Sequence, residues 1–255
     1  MLFLRSLVFN LFFLLWGSFV LVTCLPVLLA RPADAFYVGR LWVRVMLTAL
    51  RILCGLGYEI RGRENLPRTP CIIASKHQSS WDTYIMALTV ECPAMVLKRE
   101  LLRIPIFGWY LTKGHMVPID RDGGASALKT MINRAKACVA EERSIVIYPE
   151  GTRSAPGERQ PYHPGVYALY KQLDLPTVPI ALNSGLFWGR KTFIKRPGKI
   201  LLEILPPIAP GLDRKTYLAR LEQTIEEASD RLIAEATTGS RQPAADAEQS
   251  SRART

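Results

Sequence analysis

From Leu7 to Ala30 the chain is almost continuously apolar, broken only by Asn10, Ser18 and Thr23 among polar side chains and by Gly17 and Pro26. A helix of that length crosses a hydrocarbon core of about 30 Å, and the run exceeds the ~7 to 15 apolar residues of a cleaved signal peptide. The next apolar stretch, Phe36 to Leu56, differs because it carries Arg40, Arg44 and Arg51. At roughly 100° per residue these fall at about 0°, 40° and 20° around a helix, so all three share one face. Leu41, Trp42, Val45, Met46, Leu50 and Leu53 occupy the rest. The pattern predicts a helix at a lipid interface whose arginines reach phosphate headgroups, or an amphipathic helix packed on the protein body.

Beyond Gly57 short apolar runs alternate with longer helical ones. Strands are expected over Tyr58–Arg61, Cys71–Ser75, Ala94–Leu97, His115–Ile119, Ser144–Tyr148, Thr177–Leu182 and Lys199–Leu205. Helices are expected over Ser80–Val90, Gly124–Glu141, Gly165–Leu173 and Lys215–Ala236. The alternation predicts an α/β fold with a single, mainly parallel sheet, whose sites gather where strands run into loops. The expected organisation is therefore N-terminal membrane-anchoring helices over residues 1–56, one α/β domain over 57–236, and a tail over 237–255. That tail, rich in Ala, Arg, Ser and Gln, lacks the apolar residues to order itself.

Charge narrows the partners. Lys and Arg number 33 against 22 Asp and Glu, a formal charge of 33 − 22 = +11, which suits a phospholipid surface, a phosphorylated substrate or nucleic acid. Nucleic acid is the weakest of these, since the charge accompanies apolar segments and no recognised nucleic-acid module. Arg5 alone precedes the first apolar run, whereas Arg31, Arg40, Arg44, Arg51, Arg61 and Arg63 follow it, which places the body in the cytoplasm. The five cysteines are scattered without a CxxC pair, so neither a disulfide framework nor a metal site is expected.

The candidate chemistry begins at Lys76-His77-Gln78-Ser79-Ser80-Trp81-Asp82, where an expected strand gives way to a helix. A spacing of five turns two side chains about 140° apart on one helix, so His77 and Asp82 meet only if His77 lies in the preceding turn. Asp82 would then accept from one imidazole nitrogen and leave the other as a general base. The same residues also read as a capping box in which Asp82 merely closes the helix start. Downstream, Tyr148-Pro149-Glu150-Gly151-Thr152-Arg153-Ser154 follows an apolar strand as a polar loop. Gly151 permits close backbone approach, and Thr152 and Arg153 are donors suited to phosphate oxygens. Glu150 would repel a phosphate, so its expected task is to orient Arg153 or a neighbouring base, or to bind an acceptor hydroxyl. Between these segments lie Lys98-Arg99-Glu100 and Pro118-Ile119-Asp120-Arg121, basic clusters at consecutive strand ends. His115, beside Gly114, is expected to be packed or hydrogen-bonded rather than catalytic.

Taken in order, His77 with Asp82, Lys98-Arg99-Glu100-Leu101 leading to Arg121, Pro149-Glu150-Gly151-Thr152-Arg153-Ser154, and Val178-Pro179-Ile180 resemble the bacterial 1-acylglycerol-3-phosphate (lysophosphatidate) acyltransferase family, over about His77 to Pro179. The resemblance implies an acyltransferase domain behind an N-terminal membrane helix pair. It implies transfer of a fatty acyl group from acyl-CoA or acyl carrier protein to the 2-hydroxyl of lysophosphatidate, giving phosphatidate, with no bound cofactor and no metal. It assigns the base to His77 and its orientation to Asp82. Acceptor phosphate falls to Arg121, Glu150, Gly151, Thr152 and Arg153, with Lys98 or Arg99 assisting, and a supporting or acyl-groove role to Pro179. Tyr162-His163-Pro164-Gly165 departs from the family pattern, which leaves His163 without an inherited role.

A thioester is already activated, so a base, a positioned acceptor and an oxyanion donor suffice without a covalent nucleophile. Main-chain N–H groups after His77 are the expected oxyanion donors. The absence of a G-x-S-x-G elbow argues against a lipase-type hydrolase. Two other readings fit parts of the pattern: acylation of a different lysolipid, such as a lyso-aminolipid, and noncatalytic lipid binding. The implied location is the bacterial inner membrane.

Overall fold

A computed structural model describes residues 1–120 and 123–239 of the chain. It opens with helix α1 (Leu2–Thr23), a 3₁₀ segment over Leu25–Leu29, and helix α2 (Pro32–Cys54). Pro26 ends the first apolar run as a helix, because it has no N–H to donate. Pro32 opens α2, where that missing donor costs nothing, and Asp34 accepts the Arg31 N–H at 3.1 Å. Gly55, in the left-handed region at φ +67°, closes α2.

Of the expected membrane helix pair, only α1 is long and apolar enough to cross a bilayer among the described residues. Yet α1 is fastened to the body along its length. Phe3 stacks on Phe193, Ser6 Oγ accepts the Lys195 N–H at 3.0 Å, and Asn10 Oδ1 accepts from Lys195 Nζ at 2.9 Å. Phe13 packs on Trp42 and Tyr84, and the Leu21 carbonyl accepts from the Tyr110 hydroxyl at 3.2 Å. Helix α2 buries Val43, Met46, Leu50 and Cys54 in one core with Ile73, Trp81 and Ile200. Its opposite face exposes Tyr37, Leu41, Arg44, Arg51 and Ile52. The helix pair thus shares a hydrophobic core with residues beyond position 56.

The body runs β1 (Leu56–Arg61), β2 (Ile72–Ser75), α3 (Trp81–Thr89), β3 (Ala94–Lys98), α4 (Phe107–Lys113), β4 (Val117–Ile119) and α5 (Gly124–Ala140). It continues with β5 (Ile145–Ile147), α6 (Pro164–Leu173), β6 (Thr177–Leu182), β7 (Gly198–Ile204) and α7 (Arg214–Gly239). Helix α7 includes the first three residues assigned to the tail, Thr237 to Gly239, and the rest of that tail lies outside the described residues. Helix α4 has no counterpart in the sequence reading. Its seven residues are too few to show a period, and Gly108 in its first turn is required by a close approach: a Cβ there would meet the Leu102 carbonyl oxygen at 2.1 Å.

The seven strands form one sheet in the order β1-β7-β6-β2-β5-β3-β4. Every pairing is parallel except β6 with β7. The central strands are covered on both sides, so they are apolar at nearly every position. Alternate residues still divide between the faces: Ile73 and Val146 face the α2–α3 layer, while Ile72, Ala74, Ile145 and Ile147 face α5, α6 and α7.

Candidate active site

Strands β2, β5, β3 and β4 are adjacent and parallel, so the segments leaving their C-terminal ends emerge along one edge of the sheet. Those segments are Lys76-His77, Tyr148 to Arg153, Lys98 and Asp120. They border a cavity of about 760 Å³ whose walls include His77, Lys98, Tyr148, Gly151, Thr152 and Arg153.

His77 lies in the turn after β2, and its Nδ1 is 3.0 Å from Asp82 Oδ2 on the first turn of α3. With Nδ1 taken up by a carboxylate, Nε2 carries the lone pair and is free to accept a proton. Asp82 is fully buried, and Oδ2 also accepts the Gln78 and Ser79 N–H groups at 2.7 Å each. Ser79 Oγ accepts the Trp81 N–H at 3.2 Å. The same Asp82 oxygen thus holds the His77 ring and accepts the two main-chain N–H groups just before α3, so the contacts expected of either reading meet at one carboxylate. This use of the Gln78 and Ser79 N–H groups removes them as oxyanion donors, and the His77 N–H is likewise taken, by Glu150 Oε2 at 3.1 Å. The expectation of an oxyanion hole from main-chain donors following His77 fails for these residues. The imidazole stacks on Tyr148, ring centroids 4.1 Å apart, and the Tyr148 hydroxyl donates to the Asp82 carbonyl at 3.1 Å. Burial, reinforced by the Asp82 charge, pushes that phenol well above its ordinary range, so it stays neutral.

Glu150 is 1% exposed and faces away from the cavity. Its Oε1 accepts from Lys76 Nζ at 2.7 Å, which leaves it holding the His77 main chain rather than a ligand phosphate. Of the tasks expected for Glu150, this geometry supports orienting the neighbouring base. Arg153 lines the cavity, with Nη1 donating to Ser80 Oγ at 2.8 Å. Gly151 sits in the left-handed region at φ +64°, and a Cβ there would meet the His163 ring at 2.8 Å. His163, left without a role by the sequence, thus forms the wall against which the loop turns. Of the two basic neighbours, Lys98 lines the cavity. Arg99 turns to Asp120 at 3.3 Å and lines an adjoining hollow. Arg121 lies outside the described residues.

Pro179 is buried within β6 beside Ala74 of β2 and lines neither this cavity nor the next. Its place in the β2–β6 pairing is beside the strand that leads into His77. His115 is half exposed, outside the cavity, with Nδ1 3.1 Å from Glu141 Oε1.

A second cavity, about 250 Å³ and almost wholly apolar, lies between α1, α2, α3 and α4, with Trp42, Val43, Tyr84 and Met95 in its walls. Thr83 lines both cavities. Arg40 borders the apolar one and is half-buried, so the three arginines of α2 do not act alike: only Arg44 and Arg51 are exposed. Four contributors to the site had no sequence assignment. Lys76 and Ser184 hold Glu150 and Asp82, Arg190 donates to the Arg153 carbonyl at 3.2 Å, and Gln78 Oε1 accepts the Gly185 N–H at 3.0 Å. Only Lys76, charged and adjacent to His77 at the end of a buried strand, carried a signal.

A half-buried histidine held by a buried carboxylate at the edge of the sheet, opening on a basic cavity beside an apolar one, is an arrangement that general-base transfer chemistry can use. The family model described as Acyltransferase matches residues 57–183. A 1-acyl-sn-glycerol-3-phosphate acyltransferase of Pseudomonas aeruginosa is 36% identical over 86% of this chain and 85% of its own length. The human 1-acyl-sn-glycerol-3-phosphate acyltransferase alpha is 30% identical over 76% of this chain and 69% of its own. The crystal structure of a Thermotoga maritima 1-acyl-sn-glycerophosphate acyltransferase superposes with a TM-score of 0.70, covering 91% of this chain and 95% of that one at 21% identity, which establishes the common fold. The chain belongs to the 1-acyl-sn-glycerol-3-phosphate acyltransferase family.

Proposed function

We propose that this protein transfers a fatty acyl group from an acyl thioester, acyl-CoA or acyl carrier protein, to the 2-hydroxyl of lysophosphatidate, yielding phosphatidate. The observation that carries this reading is the free Nε2 of an Asp82-held His77 on the wall of a cavity that also presents Lys98, Thr152 and Arg153. Lys98 and Arg153 offer the charge-assisted donors that a phosphate monoester needs. The apolar cavity meeting this one at Thr83 supplies a place for the acyl chain.

In the proposed reaction His77 Nε2 takes the proton of the acceptor hydroxyl as its oxygen attacks the thioester carbonyl. The tetrahedral intermediate collapses with cleavage of the C–S bond, and the imidazolium returns the proton to the departing thiolate. Asp82 stabilises the imidazolium that forms between those steps. Base catalysis is worth about 10²- to 10⁴-fold, so His77→Ala is expected to lose that much kcat while folding normally. The assay uses purified protein with lysophosphatidate and each kind of thioester donor. Near-parental turnover in the variant would sink this mechanism, and preference for a different lysolipid would reassign the acceptor.

The exposed apolar face of α1, with Phe3, Leu4, Leu11, Leu15 and Phe19, supports attachment to a membrane surface. Because α1 is bonded to the Phe193–Lys195 segment and to Tyr110, we read it as lying in one leaflet of the bacterial inner membrane, with the site facing the cytoplasm. Release of the protein into the supernatant of washed membranes at low salt would contradict that attachment.

A further inference from the structure

Lys76 is 1% exposed, and its ammonium meets four acceptors: Glu150 Oε1 at 2.7 Å, Glu226 Oε1 and Oε2 at 2.8 and 2.9 Å, and the Glu158 carbonyl at 3.2 Å. Glu226 is itself 3% exposed and sits on α7, beyond residues 57–183 that the family model matches. Its Oε1 also accepts from the Tyr162 hydroxyl at 3.0 Å. Two carboxylates and one ammonium therefore share a dry site behind the reaction cavity, an arrangement that costs desolvation energy and adds little net stability by itself. Such a cluster calls for a task.

Its far end supplies one. The Glu150 oxygen not used by Lys76 accepts the His77 N–H at 3.1 Å, and the Ser154 N–H donates to the His77 carbonyl at 2.9 Å. The main chain of the base is thus held at both its donor and its acceptor. An ammonium has three N–H bonds in a fixed tetrahedral arrangement, so what occupies two of them aims the third. Glu226 fixes the direction in which Lys76 presents its proton to Glu150. Without it, Lys76 keeps only Glu150 and the Glu158 carbonyl as acceptors, and its ammonium is no longer held at the one angle that fixes the Glu150 carboxylate under the His77 peptide.

We propose that Glu226 is a positioning residue for acyl transfer, acting through Lys76 and Glu150 to fix the His77 main chain and so the reach of its imidazole. This rests on the reading of His77 as the base. A displacement of about 1 Å at a reacting group costs up to ~10²-fold in rate, so Glu226→Ala is expected to lower kcat by about 10- to 100-fold. The lysophosphatidate KM stays near parental, because Arg153 is held separately by Ser80 and Arg190. Glu226→Gln retains one acceptor oxygen and is expected between the two.

The experiment measures kcat and KM of the parent, His77→Ala, Glu226→Ala and Glu226→Gln, with kcat normalised to folded protein by circular dichroism. Parent turnover that His77→Ala leaves intact, or no parent turnover with lysophosphatidate, overturns the functional reading and this inference with it. When that control holds, a graded loss of kcat at constant KM is the expected result. Parental kcat per folded molecule in Glu226→Ala overturns the positioning role alone, as does a raised KM at unchanged kcat. Should Glu226→Ala fail to fold, the same two outcomes in Glu226→Gln decide the matter.

Discussion

Ser184 Oγ lies 2.5 Å from Asp82 Oδ1, a contact made across 102 residues of sequence. It means that both oxygens of the buried carboxylate are fully engaged, one by the serine and the other by His77 and two main-chain N–H groups. Asp82→Asn replaces an acceptor by a donor in that crowded place and presents the wrong partner to His77 Nδ1. A loss of kcat on the order of 10³-fold is expected. Ser184→Ala removes one hydrogen bond to a charged group, worth about 1.5–3 kcal/mol, and is expected to cost about 10-fold or more in kcat. Steady-state rates at saturating acceptor check both, and an Asp82→Asn enzyme within tenfold of the parent would place the orienting group elsewhere.

The two adjacent cations at the end of β3 are expected to separate cleanly. Lys98→Ala and Arg153→Ala remove donors that face the cavity, and each should raise the lysophosphatidate KM by about 10-fold. Arg99 instead pairs at the surface with Asp120, an interaction worth about 0–1 kcal/mol, so Arg99→Ala leaves KM essentially unchanged. Acceptor titrations of the three variants test the assignment, and a larger effect at Arg99 than at Lys98 would reverse it.

Filling the apolar cavity should change which acyl chains are used. Ala87 on α3 is part of its wall. Ala87→Phe takes space from the far end of a chain, and each lost methylene contact is worth about 1–3 kcal/mol of discrimination. Competition between short and long acyl donors is expected to move toward the shorter by 10-fold or more, with lysophosphatidate KM unaffected. An unchanged chain-length profile would show that the chain lies elsewhere.

Alkaline stability should fall earlier than the sheet alone suggests. Burial among Phe13, Trp42 and Trp188 pushes the Tyr84 phenol up to about 12, with Arg153 acting in the opposite sense. Burial also raises Tyr217, which is fully enclosed against Tyr170. An unfolded tyrosine ionises near 10, so the native state binds more protons than the unfolded one between about pH 10 and the raised folded values. The contribution is therefore fully present below about pH 10 and is lost as pH rises through that window, up to about 1.4 kcal/mol per unit for each tyrosine. Chemical denaturation between pH 8 and 11.5 measures it, and a midpoint constant above pH 10 would contradict the burial of these phenols.

Much of this molecule was legible in its residues. The seven strands and four of the five body helices, all but α4, follow from local apolar periods, and their alternation predicts a mainly parallel sheet because parallel strands need long crossover connections, usually helical. His77, Asp82 and the Gly151–Arg153 loop were visible because their types and spacing are chemically unusual at strand ends. Local pattern cannot reveal the partners supplied by distant segments. It left open Lys98 against Arg99, which task Glu150 performs, and whether Pro179 supports the sheet or lines a groove; the contacts that bear on each come from Lys76, Asp120 and the β2–β6 pairing. It also left open whether α2 lies at a lipid interface or packs on the body, and α2 shares a core with Trp81 and Ile200. The sequence by itself determined the elements and the reactive groups, since those depend on neighbours a few residues away. Only the tertiary structure decided which oxygen holds which proton, because Lys76, Glu226 and Ser184 reach the site from three separate parts of the chain.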